Sequence, residues 1–460
     1  MDARQDGRPV LWVDVGTMAG WRGNPTGIAR TLGQLLRHWL ADDKLPLRLC
    51  RKDPVRQVYV EVDASPFRDP TAPRTPPKPS EKPAPVTATW HGTPPARLSG
   101  EIEEAWWHLG QAAKSVGRLG RAGYRRAWNT GRRLLARLRP PAPMATFARG
   151  DVLFIGGASW KDSPSPDVLQ QMRTHHGVRI ANLVYDIIPL RCPHLCAPDL
   201  TRALGRWLPG VLSCSDLVVT ISEQSVRDLE EYGRTQALAL PPLARIRLGD
   251  EPGESRAESA PPELVGNTTG AFVLCVSTLG LNKNHHLLFQ VWRRLLDRHG
   301  GGVPTLVLAG APGWRADQIL RELRADGSLA RHVVHLPRAD DPQLRWLYRH
   351  CLFTVFPSHY EGWGLPVAES LAHGKCCICS NAASLPEVGG SLVDYHDPLD
   401  GPRCQQLIER ALLEPGWLAR REEVIRREFR VTPWQRSARQ TLELLQTLQS
   451  DESRQAREAA

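Results

Sequence analysis

Phe356-Pro357-Ser358-His359-Tyr360-Glu361-Gly362-Trp363-Gly364-Leu365-Pro366-Val367-Ala368-Glu369-Ser370 is the stretch that decides the fold. It runs from the end of an apolar strand, through a glycine-containing turn, into a helix. A turn of this kind aims free backbone N–H groups and a helix N-terminus beyond the strand end, where they make an anion site. Gly362 and Gly364 let a ligand approach the backbone closely. Glu361 falls in the turn and Glu369 eight residues further on, about 12 Å away along the axis if the helix covered the whole interval. One carboxylate could then grip a sugar and the other the far end of a nucleotide. Glutamate near a helix start is also common simply because it complements the helix dipole.

The same rhythm extends in both directions. Upstream, Val10–Val15 reads as a strand, Gly16 to Gly27 as a loop rich in glycine and proline, and Ile28–Leu40 as a helix. Val152–Ile155, Arg179–Val184 and Leu217–Ile221 are further strands, and Ser222 is a plausible N-cap for the helix that follows. After a linker at 250–270 the pattern restarts: strand Phe272–Ser277, helix His285–Arg298, strand Thr305–Ala309, helix Ala316–Ala325, then strands Val333–Leu336, Phe353–Phe356 and Cys376–Ser380. Strands alternating with helices predict parallel sheets covered on both faces. Two such units separated by a linker predict a cleft, with ligands at the carboxyl ends of the strands. The expected domains are 8–255 and 268–430, with a C-terminal helix at 431–450 that crosses back to the first.

Residues 64–140 break the pattern. Ten of the chain's 39 prolines lie in 64–98, which predicts an extended connector. Residues 111–139 hold nine Lys and Arg and no acid. That stretch accounts for nearly all of the chain's net charge of +10, so the basic character is local. Its apolar residues, from Val116 to Leu138, are spaced for a helix, with Trp106 and Trp107 just upstream. A basic amphipathic segment over 101–139 fits an anionic membrane surface; a solvated helix or basic linker is the bland alternative, and nucleic acid the weakest reading. The composition, 41% hydrophobic and 23% charged over 460 residues, excludes collagen, a wholly disordered chain and a disulfide-dense miniprotein. No run of apolar residues is long enough to span a membrane. Ten cysteines, most of them in apolar runs, predict buried thiols in a reducing compartment. With no secretory leader at the N-terminus, the expected location is cytoplasmic, peripheral to the inner membrane face if 101–139 binds lipid.

The Glu361–Glu369 segment resembles the E-x7-E signature of the family 4 (group 1) retaining glycosyltransferases. Asn24–Arg30, His335–Arg338, Leu344–Tyr348, Asn381–Val388 and Val431–Ala438 are similar to further motifs of that family, in the same order. The resemblance implies a GT-B fold: α/β, two Rossmann-like parallel-sheet domains facing a cleft, here with an inserted Pro-rich and basic segment. Carried over by position, Glu369 would bind the nucleotide ribose hydroxyls. Glu361, with the backbone around Gly362, Trp363, Gly364 and Leu365, would hold the donor sugar. Lys283 would meet the diphosphate, and Gly27 would lie in the first glycine-containing loop beside the donor. Tyr185-Asp186-Ile187-Ile188-Pro189 resembles a His-Asp-x-x-Pro strand end, with Asp186 a candidate for the catalytic cleft or a loop-capping residue.

Three positions depart from the family pattern. Asn282 and Gly280 stand where the family usually has Arg and Glu, which leaves the diphosphate one cation short; Arg30 could supply it or be an ordinary helix arginine. Tyr185 stands where a histidine is expected near the reacting sugar. No Asp-x-Asp clamp and no His/Cys cluster with metal-ligand spacing occur, so neither metal nor other cofactor is expected. The implied activity is metal-independent, retaining transfer of a hexose, mannose-like or glucose-like. The donor is a nucleoside-diphosphate sugar and the acceptor a lipid-linked or polysaccharide glycan of a bacterial cell surface. A sugar-nucleotide epimerase or phosphorylase of the same fold, or a non-catalytic membrane-associated scaffold, are the alternatives.

Overall fold

The computed structural model describes residues 8–19, 27–53, 56, 58–68, 143–160, 166–252, 257–264 and 270–458, with side chains to 449. Apart from the short helix Ser65–Arg68, the inserted region, including the whole basic stretch 101–139, lies outside the described residues.

The first sheet has seven strands in the order β3-β2-β1-β4-β5-β6-β7. They are β1 (Leu11–Asp14), β2 (Leu47–Lys52), β3 (Tyr59–Val62), β4 (Val152–Ile155), β5 (Arg179–Leu183), β6 (Leu217–Thr220) and β7 (Leu243–Arg245). All pairs are parallel except β2 with β3 at the edge. β4 and β6 are buried at every position, because helices cover both faces and leave no polar side for alternation. Asp151, 2% exposed, joins β1 to β4 by accepting from the Val10 N–H, the Trp12 Nε1–H and the Ala148 N–H at 2.9, 3.1 and 2.9 Å.

The second sheet has six parallel strands in the order β10-β9-β8-β11-β12-β13. They are β8 (Phe272–Val276), β9 (Thr305–Ala309), β10 (Val333–Leu336), β11 (Thr354–Phe356), β12 (Cys377–Ser380) and β13 (Asp394–His396). The helices that shape the cleft are α1 (Ile28–Leu40), α2 (Glu223–Thr235), α3 (His285–His299), α4 (Asp341–His350), α5 (Leu365–Ala372) and α6 (Leu385–Gly389), with α7 (Trp434–Glu458) at the C-terminal end. In both sheets the order reverses beside the first strand, the switch point at which such sheets open a crevice.

The strand cores follow the apolar runs of the sequence to within a residue or two. β2, β3, β7 and β13 were not expected: Leu47–Lys52 and Tyr59–Val62 alternate charged with apolar residues at the sheet edge, and the other two are three residues long. The loop after β1 contains a short helix, Gly16–Ala19. α7 runs past the expected 450 and lies along α1, where Trp39 Nε1 donates to the Ala438 carbonyl at 2.9 Å. Trp434, 1% exposed, packs so tightly that a Cβ on Gly249 would approach its ring to 2.6 Å. Eight of the ten cysteines are buried and none is bonded to another; Cys192 and Cys196 are partly exposed. No helix among the described residues is long and apolar enough to cross a membrane.

Candidate functional site

The signature stretch folds as strand β11, a turn over 357–364, and α5. Gly364 adopts φ +123°, and a Cβ there would come within 2.6 Å of Leu385 Cδ2, so both conformation and space require glycine. Three side chains hold the turn's carbonyls. Ser384 Oγ donates to the Glu361 and Trp363 carbonyls at 2.9 and 2.8 Å, and Ser380 Oγ to the Ser358 carbonyl at 2.6 Å. Asn284, in the left-handed region at φ +58°, donates from Nδ2 to the Pro357 carbonyl at 3.1 Å. The turn is thereby fixed before any ligand arrives. Trp363 is buried, with the Arg247 guanidinium 5.4 Å from its ring centroid. Leu365 opens α5 as a partly buried core residue.

Lys283, at the end of a single 3-10 turn after β8, donates from Nζ to Glu361 Oε1 at 2.6 Å, with side-chain exposures of 17% and 10%. A partly desolvated pair of this kind orients both groups strongly. Asn282 contributes backbone: its carbonyl accepts from the His359 N–H at 2.9 Å, tying the lysine loop to the signature turn. Across the cleft, Asp186 follows β5 and accepts the Ile188 N–H on Oδ1 at 3.0 Å. Its carboxylate is so close to Gly362 that a Cβ on that glycine would meet Asp186 Cβ and Oδ2 at 2.9 Å. Burial pushes the Asp186 carboxyl up to about 6, with Glu361 and Asp228 adding to the rise and the Ile188 N–H and Lys283 opposing it. Lys283, Glu361, Gly362 and Asp186 thus form one cluster, contributed by both sheets.

Glu369, on α5, is held on both oxygens: Tyr348 Oη donates to Oε2 at 2.8 Å, and Arg30 Nη1 pairs with Oε1. Arg30 projects from the first turn of α1 in the opposite domain, so the pair spans the cleft. Gly27 caps α1 at φ +53° with open space where a Cβ would be. Tyr185 does not enter the cleft: its hydroxyl donates to the Gly156 carbonyl at 2.9 Å, inside the first domain, and the ring is buried.

Several cleft residues escaped the sequence reading. Tyr360 Oη donates to Asp228 at 2.8 Å and accepts from Gln224 Nε2 at 3.1 Å. Glu387, on α6, accepts the Glu223 and Gln224 N–H groups at 2.7 and 2.8 Å, so a carboxylate of one domain caps α2 of the other. Ser222, by contrast, was expected as an N-cap and is one: its side chain accepts the Ser225 N–H at the start of α2 at 3.0 Å. The Glu387 motif and Tyr360 were visible as sequence, but nothing local announced partners more than 130 residues away. Among the described residues, no three His, Cys, Asp or Glu side chains converge as a metal site requires.

Comparison with known proteins bears on this geometry. Residues 257–394 match the family model described as glycosyl transferases group 1. Among curated proteins, the chain is 28% identical to the O-antigen chain mannosyltransferase B of Escherichia coli over 53% of its own length and 64% of that protein's. It is 29% identical to the D-inositol 3-phosphate glycosyltransferase of Acidothermus cellulolyticus over 52% and 55% of the two lengths. The chain therefore spans less than two thirds of these relatives. Among solved structures it superposes on sucrose-phosphate synthase from Thermosynechococcus elongatus with a TM-score of 0.58, 15% identity, and coverage of 96% of this chain and 100% of the other. An α,α-trehalose 6-phosphate synthase from Burkholderia multivorans gives a TM-score of 0.51 at 17% identity, covering 74% and 78%. The chain has the two-domain GT-B fold, and over residues 257–394, less than half of its length, it is similar to the glycosyl transferases group 1.

Proposed function

We propose that the protein is a retaining glycosyltransferase that moves a hexose from a nucleoside-diphosphate sugar to a glycan acceptor. The observation that carries this reading is the Lys283–Glu361 pair, set at a turn pinned by Ser380, Ser384 and Asn284, facing Asp186 across the cleft, with Glu369 on the helix that follows the turn. The donor lies with its ribose hydroxyls at Glu369, its diphosphate at Lys283 and the backbone N–H groups of the turn, and its sugar between Glu361 and Asp186. As the C1–O bond to the phosphate breaks, negative charge accumulates on the leaving diphosphate. The fixed ammonium of Lys283 stabilises that charge more in the transition state than in the ground state. The acceptor hydroxyl attacks C1 on the same face, and its proton passes to the departing phosphate oxygen. Glu361 positions the sugar; the mechanism assigns it no covalent bond. The transfer needs no metal, because the cation at the diphosphate belongs to the protein.

The acceptor reading, a lipid-linked or surface polysaccharide, is supported by relatives named as O-antigen chain and serotype-specific mannosyltransferases. The composition of 101–139 supports contact with an anionic membrane. The test is a thermal-shift and turnover screen against UDP-, GDP-, dTDP- and ADP-sugars with EDTA present. A shift and turnover with one donor, lost in Lys283→Ala and Glu369→Ala, supports the proposal; a response that requires added metal, or none to any donor with lipid extract present, overturns it.

A further inference from the structure

In the empty cleft both oxygens of the proposed ribose-binding carboxylate are occupied, one by the Tyr348 hydroxyl and one by the Arg30 guanidinium. A ribose diol brings two hydroxyl donors to a carboxylate that already holds two and whose side chain is only 14% exposed, so the diol competes with those partners for it. Losing Tyr348 costs a neutral hydrogen bond; losing Arg30 removes a cation from its carboxylate and leaves a guanidinium only 29% exposed. The groups that face Arg30 are Glu369, Asp341 and Tyr348. Its own helix has no acidic residue in the first turn to receive it. The donor itself brings the anion that restores the balance. The diphosphate needs that cation, because the loop after β8 supplies one ammonium, already paired with Glu361, and a neutral Asn282. A guanidinium forks onto two oxygens and suits phosphate better than a point charge does.

Building on the donor site proposed above, we infer that Arg30 exchanges partners as the donor binds: it holds Glu369 in the empty cleft and pairs with the donor diphosphate once the ribose hydroxyls take that carboxylate. Ribose recognition and diphosphate recognition are then coupled through one side chain of the opposite domain, and donor binding replaces one cross-cleft ion pair with another.

The experiment is calorimetric titration of the full chain and of Arg30→Gln and Arg30→Lys with UDP, GDP, dTDP and ADP and with the matching nucleosides, uridine, guanosine, thymidine and adenosine. Arg30→Gln is expected to weaken whichever diphosphate the wild type binds by about tenfold or more. Binding of the matching nucleoside holds or tightens, since Glu369 is released. Arg30→Lys, which keeps the charge without the fork, falls between. If Arg30→Gln tightens both ligands, Arg30 is an obstruction only; if it weakens both equally, its role is structural; either result overturns the exchange. A wild-type chain that binds none of the four nucleoside diphosphates overturns the donor-site reading itself, an outcome distinct from the other two.

Discussion

At the scale of single residues, the Lys283–Glu361 pair separates what folds the cleft from what would run it. Replacing Lys283 with Ala leaves the Glu361 carboxylate, 8% exposed, without its cation and close to Asp186. Breaking such a pair costs about 2–4 kcal/mol of stability, and transfer should fall about 100-fold or more. Adding Glu361→Gln removes the stranded charge, so the double variant is expected to recover most of the lost melting temperature and none of the turnover. Recovery of turnover would show that the lysine matters only structurally. Asp186 offers a second handle, through pH. Its native carboxyl titrates near 6, against about 4 in an unfolded chain. Between those values the native state holds a proton that the unfolded state has released, so this group's contribution falls as pH rises through the window and is fully lost above 6. Asp186→Asn keeps the acceptor for the Ile188 N–H and removes the titration. It should raise stability at pH 7 by about 1–2 kcal/mol, a gain that vanishes by pH 4 in urea melts; a gain that persists at pH 4 would assign it to packing.

At the scale of elements, the turn over 357–364 was legible because strand, glycines, carboxylates and helix lie within fifteen consecutive residues, and local chemistry determines local structure there. The same locality made β1, β4, β8, β9 and helix α1 readable. It failed for β7 and β13, too short to show a period, and for β2 and β3, whose edge positions mix charged and apolar residues. It failed again for Tyr348, Asp228, Gln224 and Glu387, whose partners are brought together by the packing of separate elements. Tyr185, read from the sequence as a departure from the histidine of the motif it resembles, spends its hydroxyl inside the first domain. The turn's rigidity is testable. Gly364→Ala would face both a disfavoured φ of +123° and a 2.6 Å approach to Leu385, and is expected to cost about 2–3 kcal/mol. Ser222→Ala removes only the cap of α2 and should cost about 1 kcal/mol. Equal losses in urea melts would mean that the turn tolerates the methyl group.

At the scale of the whole molecule, the two domains meet in two kinds of place with opposite roles. Where the chain crosses between them, the strands of connection are pinned together. Asp250 N–H donates to the Thr432 carbonyl at 2.9 Å, Thr432 N–H to Asp250 Oδ1 at 2.6 Å, and Arg247 Nε to Thr432 Oγ1 at 2.8 Å. Asp250 and Thr432 are buried, so these contacts are expected to hold when the domains move, as at a hinge. Across the cleft the contacts are set around the signature turn: Glu387 on α2, Tyr360 on Asp228, Arg30 on Glu369. Each is a polar pair whose members regain water when separated, so each contributes about 1 kcal/mol to closure rather than to folding. Glu387→Ala with Tyr360→Phe should therefore open the molecule without unfolding it. The expected result is a larger radius of gyration in X-ray scattering, with a melting temperature within a few degrees of the wild type. Trp434→Ala, on the helix that returns to α1, should do the reverse: a loss of about 3–5 kcal/mol from a buried indole, with little change in the opening of whatever remains folded. Were the clasp variant to melt as early as the tryptophan variant, the cleft contacts would belong to the fold and the donor would have to enter a cleft that is already closed.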